Sequence, residues 1–243
     1  TTFKVEGIST AYANTLRRLF KKHVPTMAIE TVEFKANNSA LYDEIIAHRL
    51  GLLVLSTDLG SFNIPEAGAE ETAATHTQLS LKAEGPCTVY AKDLEPQTES
   101  VKPVHPETPI VSLLKGQSLE LVASARLGTG QEHSKHDPGL ISYYYEPTIT
   151  VQSNIDEETL DMYPPQVVSE GSIDKSAILE SPRLIDACEG VSEYVTIEYT
   201  KPQKSFIFTI EPWGQLTAQE VISEGIRVHN EQLDEFEGVL KTL

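Results

Sequence analysis

Cysteine is almost absent from this sequence, which has only Cys87 and Cys188 among its 243 residues. Two cysteines this far apart provide neither a disulfide framework nor the spacing of a metal site. The chain also lacks an apolar run of ~18 residues, the length that a membrane-spanning helix needs. These absences predict a cytoplasmic protein with no membrane segment. The sequence begins TTFKVEG, without methionine or a signal-peptide pattern, and we expect a truncated amino terminus.

Basic residues are scarce too, because 19 lysines and arginines stand against 36 acidic residues, for a net charge of −17. A free-standing nucleic-acid-binding protein needs a dominant basic surface, so the charge argues against that function. Four basic residues nevertheless lie within six positions of a predicted helix over residues 11–23. Its apolar face comprises Tyr12, Leu16, Leu19, Phe20 and His23, and the basic ridge beside it comprises Arg17, Arg18, Lys21 and Lys22.

Local catalytic motifs are absent from the sequence, which has no G-x-S-x-G, no H-E-x-x-H and no D-x-D-x-D. His133 and His136 are three residues apart, a spacing that can seat a metal on a helix. Nearby glycines and Pro138 predict a loop there instead, and no further ligands complete a site. We interpret the two histidines as structural.

Alternating apolar patterns predict strands near both ends and through the middle of the chain. The predicted strands are 2–5, 27–34, 79–83, 88–91, 119–125 and 143–151, the last with Pro147 at an edge or a bulge. A short helix is predicted over 41–50, and residues 156–190 are interpreted as a small separate unit. Residues 195–199 and 205–210 predict a hairpin around Lys201-Pro-Gln-Lys204.

The most regular pattern lies at the carboxyl end of the chain. Thr217 and Glu220 form a T-x-x-E capping box, which predicts the start of a long helix. Six residues then follow at alternating spacings of four and three, and we call them the seam. With this coiled-coil-like spacing, pairing with a helix of another chain and packing within the same domain are about equally favoured. The seam comprises Ile222, Ile226, His229, Leu233, Phe236 and Leu240.

Three functional hypotheses remain open on these residues alone. The first is a non-catalytic subunit that dimerises through helices and docks by the basic ridge. The second is an enzyme whose site carries no local motif. The third is a nucleic-acid binder that uses residues 17–22, which the net charge and the lack of interleaved aromatic residues disfavour.

Several blocks of the sequence are shared with one protein family. The most specific blocks are Ala13-Asn-Thr-Leu-Arg-Arg18, Val24-Pro-Thr-Met-Ala-Ile-Glu30, Asn38-Ser39 and Asp43-Glu-Ile-Ile-Ala-His-Arg-Leu-Gly51. Further blocks are Ala83-Glu-Gly-Pro86, Leu127-Gly-Thr-Gly-Gln-Glu-His-Ser-Lys135 and Phe206-Ile-Phe-Thr-Ile-Glu211. Together they closely resemble the D subunit of archaeal DNA-directed RNA polymerase, in the family of the third-largest eukaryotic polymerase subunit and of the bacterial alpha-subunit amino-terminal domain. The resemblance is collinear and covers nearly the whole chain.

The resemblance implies an α+β fold in which both chain ends, 1–50 and 201–243, form a dimerisation domain. A β-rich domain over 51–152 is inserted between them, and residues 153–200 form a small third subdomain. In this family the first and last helices build a four-helix interface with a smaller partner, subunit L in archaea. The residues implied in that interface are Leu16, Leu19, Phe20 and the six seam residues.

The resemblance further implies that the heterodimer recruits small subunits N and P and then the second-largest subunit. Nucleotide addition belongs to the largest subunits, so this chain would carry no catalytic residues within a nucleotidyltransferase complex and would meet DNA and RNA only indirectly. The alternative is a helix-mediated dimerisation or adaptor protein outside polymerase. The residues implied in docking are Asn14, Arg17, Arg18, His48, Arg49, His133 and Lys135.

The sequence departs from the family in three places. Many archaeal members hold an iron–sulfur cluster in the third domain, but residues 153–200 contain only Cys188, so no cluster held by three or four thiolates is expected. The eukaryotic-type zinc loop would fall in 61–77, which has no cysteine, so zinc is not expected. The lysine and aromatic residue that usually follow the loop histidine are replaced by Ser134-Lys135-His136-Asp137. The length and the missing zinc loop favour an archaeal source.

Overall fold

The fold is that of a computed structural model, and the structure describes residues 1–65, 68, 70–199 and 204–242. The chain forms two compact units, one of Thr1, Thr15–Ile141 and Ile210–Leu243 and one of Thr2–Asn14 and Ser142–Thr209. Helices combine with antiparallel sheets, in agreement with the predicted α+β class. Within the described ranges, no helix has both the length and the apolar character needed to cross a bilayer.

Thirteen strands and six α-helices make up the described chain. The helices are α1 (Thr10–Lys22), α2 (Asp43–Gly51), α3 (Glu157–Leu160), α4 (Lys175–Leu179), α5 (Pro182–Cys188) and α6 (Ala218–Thr242). The strands are β1 (Thr2–Glu6), β2 (Pro25–Asn37), β3 (His76–Glu84), β4 (Cys87–Tyr90), β5 (Glu95–Pro96), β6 (Pro109–Leu113), β7 (Ser118–Thr129), β8 (Gly139–Tyr145), β9 (Thr148–Val151), β10 (Val168–Ser169), β11 (Ser172–Ile173), β12 (Val195–Glu198) and β13 (Ser205–Pro212).

The first unit is built on an antiparallel sheet in the order β2-β7-β3-β5, with β4 and β6 as a separate pair. In β3, Thr77, Leu79 and Leu81 are buried while the residues between them face solvent, as the two-residue period of a strand requires. Helix α2 adds Ile46 and Leu50 to the same apolar core. The predicted domain boundary at residue 50 assigns β2 and β7 to different domains. In the structure these two strands pair along the length of β2 in one sheet.

Helix α6 begins with the predicted capping box, which is confirmed. The Glu220 carboxylate accepts a hydrogen bond from the Thr217 backbone N–H at 2.7 Å, and the Thr217 hydroxyl accepts one from the Glu220 N–H at 3.2 Å. Ala218, Val221 and Gly225 are the buried residues of this helix. They fall on one stripe at helical spacing, so α6 packs through small residues in its first two turns.

The second unit has its own apolar core, and the predicted small unit over 156–190 lies within it. Its strands include the paired β9 and β12 and the short β10–β11 hairpin. At its amino-terminal end the Ser9 hydroxyl accepts a hydrogen bond from the Tyr12 N–H at 3.2 Å and so caps α1, as predicted. The buried core residues are Ile149, Leu160, Tyr163, Val167, Ile173, Ile178, Ile185, Cys188 and Val195.

The predicted hairpin of 195–199 with 205–210 is wrong. Strand β12 pairs with β9, placing Val195 opposite Val151, and β13 pairs with β1. This pairing brings the apolar side chains of β9 and β12 into one core. Alternation in a sequence shows which side chains of a strand share a face, but it does not show which other strand pairs with it. Residues 201–203 of the predicted turn lie outside the described residues.

The predicted single strand over 143–151 is also wrong. The chain forms two strands, β8 and β9, separated by Glu146 and Pro147, and they belong to different sheets. Proline has no backbone N–H to donate and restricts the residue before it, so the ladder stops here instead of bulging. The sequence analysis missed strand β6, which begins at Pro109. The prolines of the segment before it favour a connector and not a strand.

Candidate protein–protein interfaces

The seam of α6 is largely exposed. Ile226, Leu233, Phe236 and Leu240 retain 48–62% of their accessible surface, and Ile222 and His229 are half-buried. The sequence analysis missed Val239, which is 57% exposed and extends the same apolar surface. Every residue from 231 to 242 is exposed, so the second half of α6 presents its apolar side chains to the surroundings.

Leu19 and Phe20, two of the predicted interface residues on α1, are already buried within the chain, and Leu16 is half-buried. A Cβ atom on Gly225 would lie 2.4 Å from Cδ1 of Phe20, so only glycine allows the ring to approach the backbone of α6 this closely. Leu19 and Phe20 therefore support α6 from behind, and a partner would reach the seam before these two residues.

The basic ridge of α1 is partly used inside the chain. The Lys22 ammonium donates to the Asp137 carboxylate at 2.9 and 3.2 Å and to the carbonyl oxygen of Gly130 at 3.0 Å, and Lys21 lies 3.8 Å from the same carboxylate. Arg18 is exposed and Arg17 is half-buried. Lys21 and Lys22 of the basic ridge therefore connect the end of α1 to the loop after β7 through ion pairs and a hydrogen bond. Asn14, also a predicted docking residue, is half-buried in the second unit.

Three of the predicted docking residues, His48, His133 and Lys135, meet at an open cleft of about 180 Å³ in the first unit. We call it the docking cleft. It lies between β2, α2 and the loop after β7. Arg49 is the neighbour of His48 in the chain, and its guanidinium donates to the carbonyl oxygen of Ile110 at 2.5 Å. The residues that line the docking cleft are Ile29, Glu30, Val32, Ala47, His48, Gly51, Leu52, His133 and Lys135.

A β-bulge in β2 directs Glu30 to this cleft. Ile29 and Thr31 pair with the adjacent residues Ala125 and Ser124, which leaves Glu30 as the extra residue. Its carboxylate accepts hydrogen bonds from Lys135 at 2.5 Å and Arg126 at 3.2 Å. Sequence reasoning missed Glu30, although the bulge interrupts the alternation of the strand: the apolar residues Ile29 and Val32 are three positions apart instead of two.

Ion pairing sets the charge of Glu30. Partial burial by itself would raise the pKa of this carboxyl, but the hydrogen bonds and positive charges of Lys135 and Arg126 outweigh that effect and hold the pKa below its ordinary value. Lys135 also donates to the carbonyl oxygen of Ile29 at 3.0 Å, and its side chain is only 13% exposed. Lys135 therefore fixes the loop against β2, and His48 and His133 are the more exposed of the three docking residues.

His136 is a further residue that the sequence did not single out beyond a structural role. It is fully buried; its Nδ1 atom lies 2.8 Å from the carbonyl oxygen of Thr26, and the Thr26 hydroxyl donates to the His136 carbonyl oxygen at 2.9 Å. Burial lowers the pKa of the imidazole. A Cβ on Gly128 would lie 2.6 Å from Nε2 of His136, so the loop closes around the ring. The interpretation of this histidine as structural agrees with its contacts.

Metal-ligating side chains do not gather in the described ranges, where no group of three or more His, Cys, Asp or Glu residues could hold an ion. Cys87 is exposed and Cys188 is buried. The expectation of no zinc and no iron–sulfur cluster remains a prediction.

Comparison with known proteins decides the family. A family model described as the RNA polymerase Rpb3/RpoA insert domain matches residues 28–144. DNA-directed RNA polymerase subunit Rpo3 of Pyrococcus horikoshii is 35% identical over 246 residues, which cover 100% of this chain and 94% of the relative. The chain belongs to the Rpo3 family. Rpo3 of Methanosarcina acetivorans is 34% identical and covers 99% of the chain, with 94% of that relative covered in turn.

Membership of the Rpo3 family confirms the resemblance to an archaeal RNA polymerase subunit. The family functions in transcription as part of a multisubunit complex. The Rpb3/RpoA insert-domain match begins inside β2 and ends in β8, so it includes β7, β3, β5, most of β2 and the docking cleft. The match begins at residue 28, whereas the inserted domain predicted in the sequence analysis begins at residue 51.

Proposed function

We propose that this chain is a non-catalytic assembly platform of a cytoplasmic, archaeal-type RNA polymerase. It forms a heterodimer with the small subunit L and then docks the second-largest subunit and the small subunits N and P. The exposed seam of α6 carries this proposal, and membership of the Rpo3 family supports it. DNA and RNA meet the chain only through the complex.

The seam is the strongest sign of a helical partner. Phe236 is 62% exposed, and Leu233 and Leu240 lie on the same face one turn away on either side. A second helix that covers apolar side chains at coiled-coil spacing is bound more tightly, by about 25 cal/mol for each Å² of apolar surface removed from water. Contiguous apolar patches of this kind mark interaction sites on soluble proteins.

A charge substitution in the seam tests the proposal. We expect Phe236→Glu to weaken the heterodimer with subunit L by about 3 kcal/mol, or roughly 100-fold, because it removes a large apolar contact and buries a carboxylate. Gly238→Glu is the matched control, since it adds the same carboxylate two residues away, on the opposite side of α6, where a side chain meets open space. Co-expression followed by sizing and by titration measures both variants.

Three results would count against this function. A chain that remains monomeric beside subunit L would refute dimerisation. Equal loss of binding in both variants would show that the seam is not the interface. A heterodimer that never enters polymerase would support the alternative of a helix-mediated dimerisation or adaptor protein outside polymerase.

A further inference from the structure

Asp137, in the loop between β7 and β8, joins that loop to the end of α1 and to the segment before α6. Its carboxylate accepts hydrogen bonds from the Lys22 ammonium at 2.9 and 3.2 Å and lies 3.8 Å from the Lys21 ammonium. Its carbonyl oxygen accepts a hydrogen bond from the side-chain amide of Gln215 at 3.2 Å. Only 9% of Asp137 is exposed, and a carboxylate withdrawn from water this far needs such partners. We call Asp137, Lys21 and Lys22 the Asp137 cluster.

The backbone of the loop attaches to the same turn of α1. The Gln131 N–H donates to the Lys22 carbonyl oxygen at 3.1 Å, and the Lys22 ammonium donates to the Gly130 carbonyl oxygen at 3.0 Å. A Cβ atom on Gly130 would overlap the Asp137 carboxylate, so a glycine allows the loop to close around the cluster. Both ends of the loop are therefore fixed to α1, and the docking residues of the loop lie between them.

The same end of α1 also contacts α6. The ring of Phe20 packs against Gly225, and the side-chain nitrogen of Gln232 lies 3.3 Å from Nδ1 of His23. Gln232 lies at the start of the exposed half of α6. The end of α1 therefore connects the exposed half of α6 with the loop between β7 and β8.

The exposed half of α6 gains the most order from a partner. Every residue from 231 to 242 is exposed, and a helix of about 12 residues without supporting contacts is marginal in water. Such a segment opens locally at little cost in free energy. A partner that covers the seam prevents this opening, and the contact of Gln232 with His23 passes the restraint to the end of α1.

We propose that Asp137 is a positioning residue that links the seam to the loop between β7 and β8. When a partner covers the seam, the end of α1 becomes more ordered and, through the Asp137 cluster, so does the loop. Coupling of this kind is reciprocal, so an ordered loop also strengthens binding at the seam. The inference rests on the proposed function, because subunit L is the partner that covers the seam.

Amide hydrogen exchange measures the order of the loop directly. Mass spectrometry of peptides that span residues 130–137 compares the full chain alone with its heterodimer with subunit L. We expect exchange in the heterodimer to be about fivefold slower, at the low end of typical coupling between sites. Unchanged exchange in a heterodimer that forms would overturn the inference and leave the proposed function standing. Failure of the heterodimer to form would refute the proposed function itself, and the inference with it.

Matched substitutions test whether Asp137 is the link. Asp137→Asn should still form the heterodimer but lose the slower exchange of the loop. Lys22→Met removes the other side of the ion pair at a side chain that is 36% exposed, and it should act in the same way. Glu132→Gln is the control, because it removes a carboxylate of the same loop that pairs with Arg126 of β7 and not with α1, and it should keep the slower exchange. Slower exchange retained in Asp137→Asn and Lys22→Met would contradict the link.

Discussion

At the scale of single residues, His136 shows how a polar side chain in a loop can be part of the core. Burial lowers its pKa from the ordinary value of 6.5, and the hydrogen bond with Thr26 opposes this effect. Lys135 and Arg126 lower the pKa further, and Glu30 raises it. The sequence places His136 in a glycine-rich loop near His133, and only the folded contacts show that one imidazole is buried while the other is exposed.

The lowered pKa of His136 predicts a loss of stability in mild acid. Above pH 6.5 the imidazole is neutral in both the folded and the unfolded chain, so the full stability is present. As the pH falls below 6.5, the unfolded chain takes up a proton that the folded chain resists, and the free energy of unfolding decreases. Urea unfolding at pH 7.5 and pH 5.5 should show this decrease, and His136→Gln should make it smaller.

His23 provides the control for this experiment. Burial lowers the pKa of His23, as does the nearby charge of Arg18, so it adds to the acid sensitivity in the same direction. The variant His23→Gln measures its share separately, and the double variant tests whether the two contributions add. An unchanged pH dependence in His136→Gln would show that this imidazole is not the acid-sensitive group.

At the scale of elements, the sequence predicted where α6 begins but not which of its faces packs within the chain. The capping box is a local signal and could be found by spacing alone. The large apolar residues of the seam dominate the pattern, whereas the buried stripe is Ala218, Val221 and Gly225, whose small side chains give a weak signal. From the sequence, Gly225 only lowers the helix propensity of α6. The structure shows that a glycine is needed there because the ring of Phe20 packs against it.

Two glycines of α6 provide a test of this packing. Gly225→Ala should destabilise the chain by roughly 1–2 kcal/mol, because the new methyl group meets the buried ring of Phe20. Gly238→Ala should stabilise it by about 0.5–1 kcal/mol, since that position is open and alanine is the better helix former. Urea unfolding gives both values. A stabilising effect of Gly225→Ala would mean that α6 does not lie against α1 this closely.

At the scale of the whole molecule, strands were easier to find in the sequence than their partners. Alternation identified β2, β3 and β7, although only β3 has a regular buried face and β2 contains a bulge. Pairing depends on residues far apart in the chain, which is why the β9–β12 pair was mistaken for a hairpin of β12 with β13. The docking cleft likewise joins residues near position 50 to residues near 133, and no local pattern could place them together.

The second unit should keep its fold without metal, because nine buried residues form its core and the thiol among them is a poor ligand. Burial raises the pKa of Cys188, which disfavours the thiolate that iron or zinc would need. We expect the purified chain to contain no stoichiometric iron or zinc, and thermal unfolding to be unchanged after treatment with a strong chelator. A brown protein, or a clear fall in Tm on chelation, would show that a metal contributes to its stability.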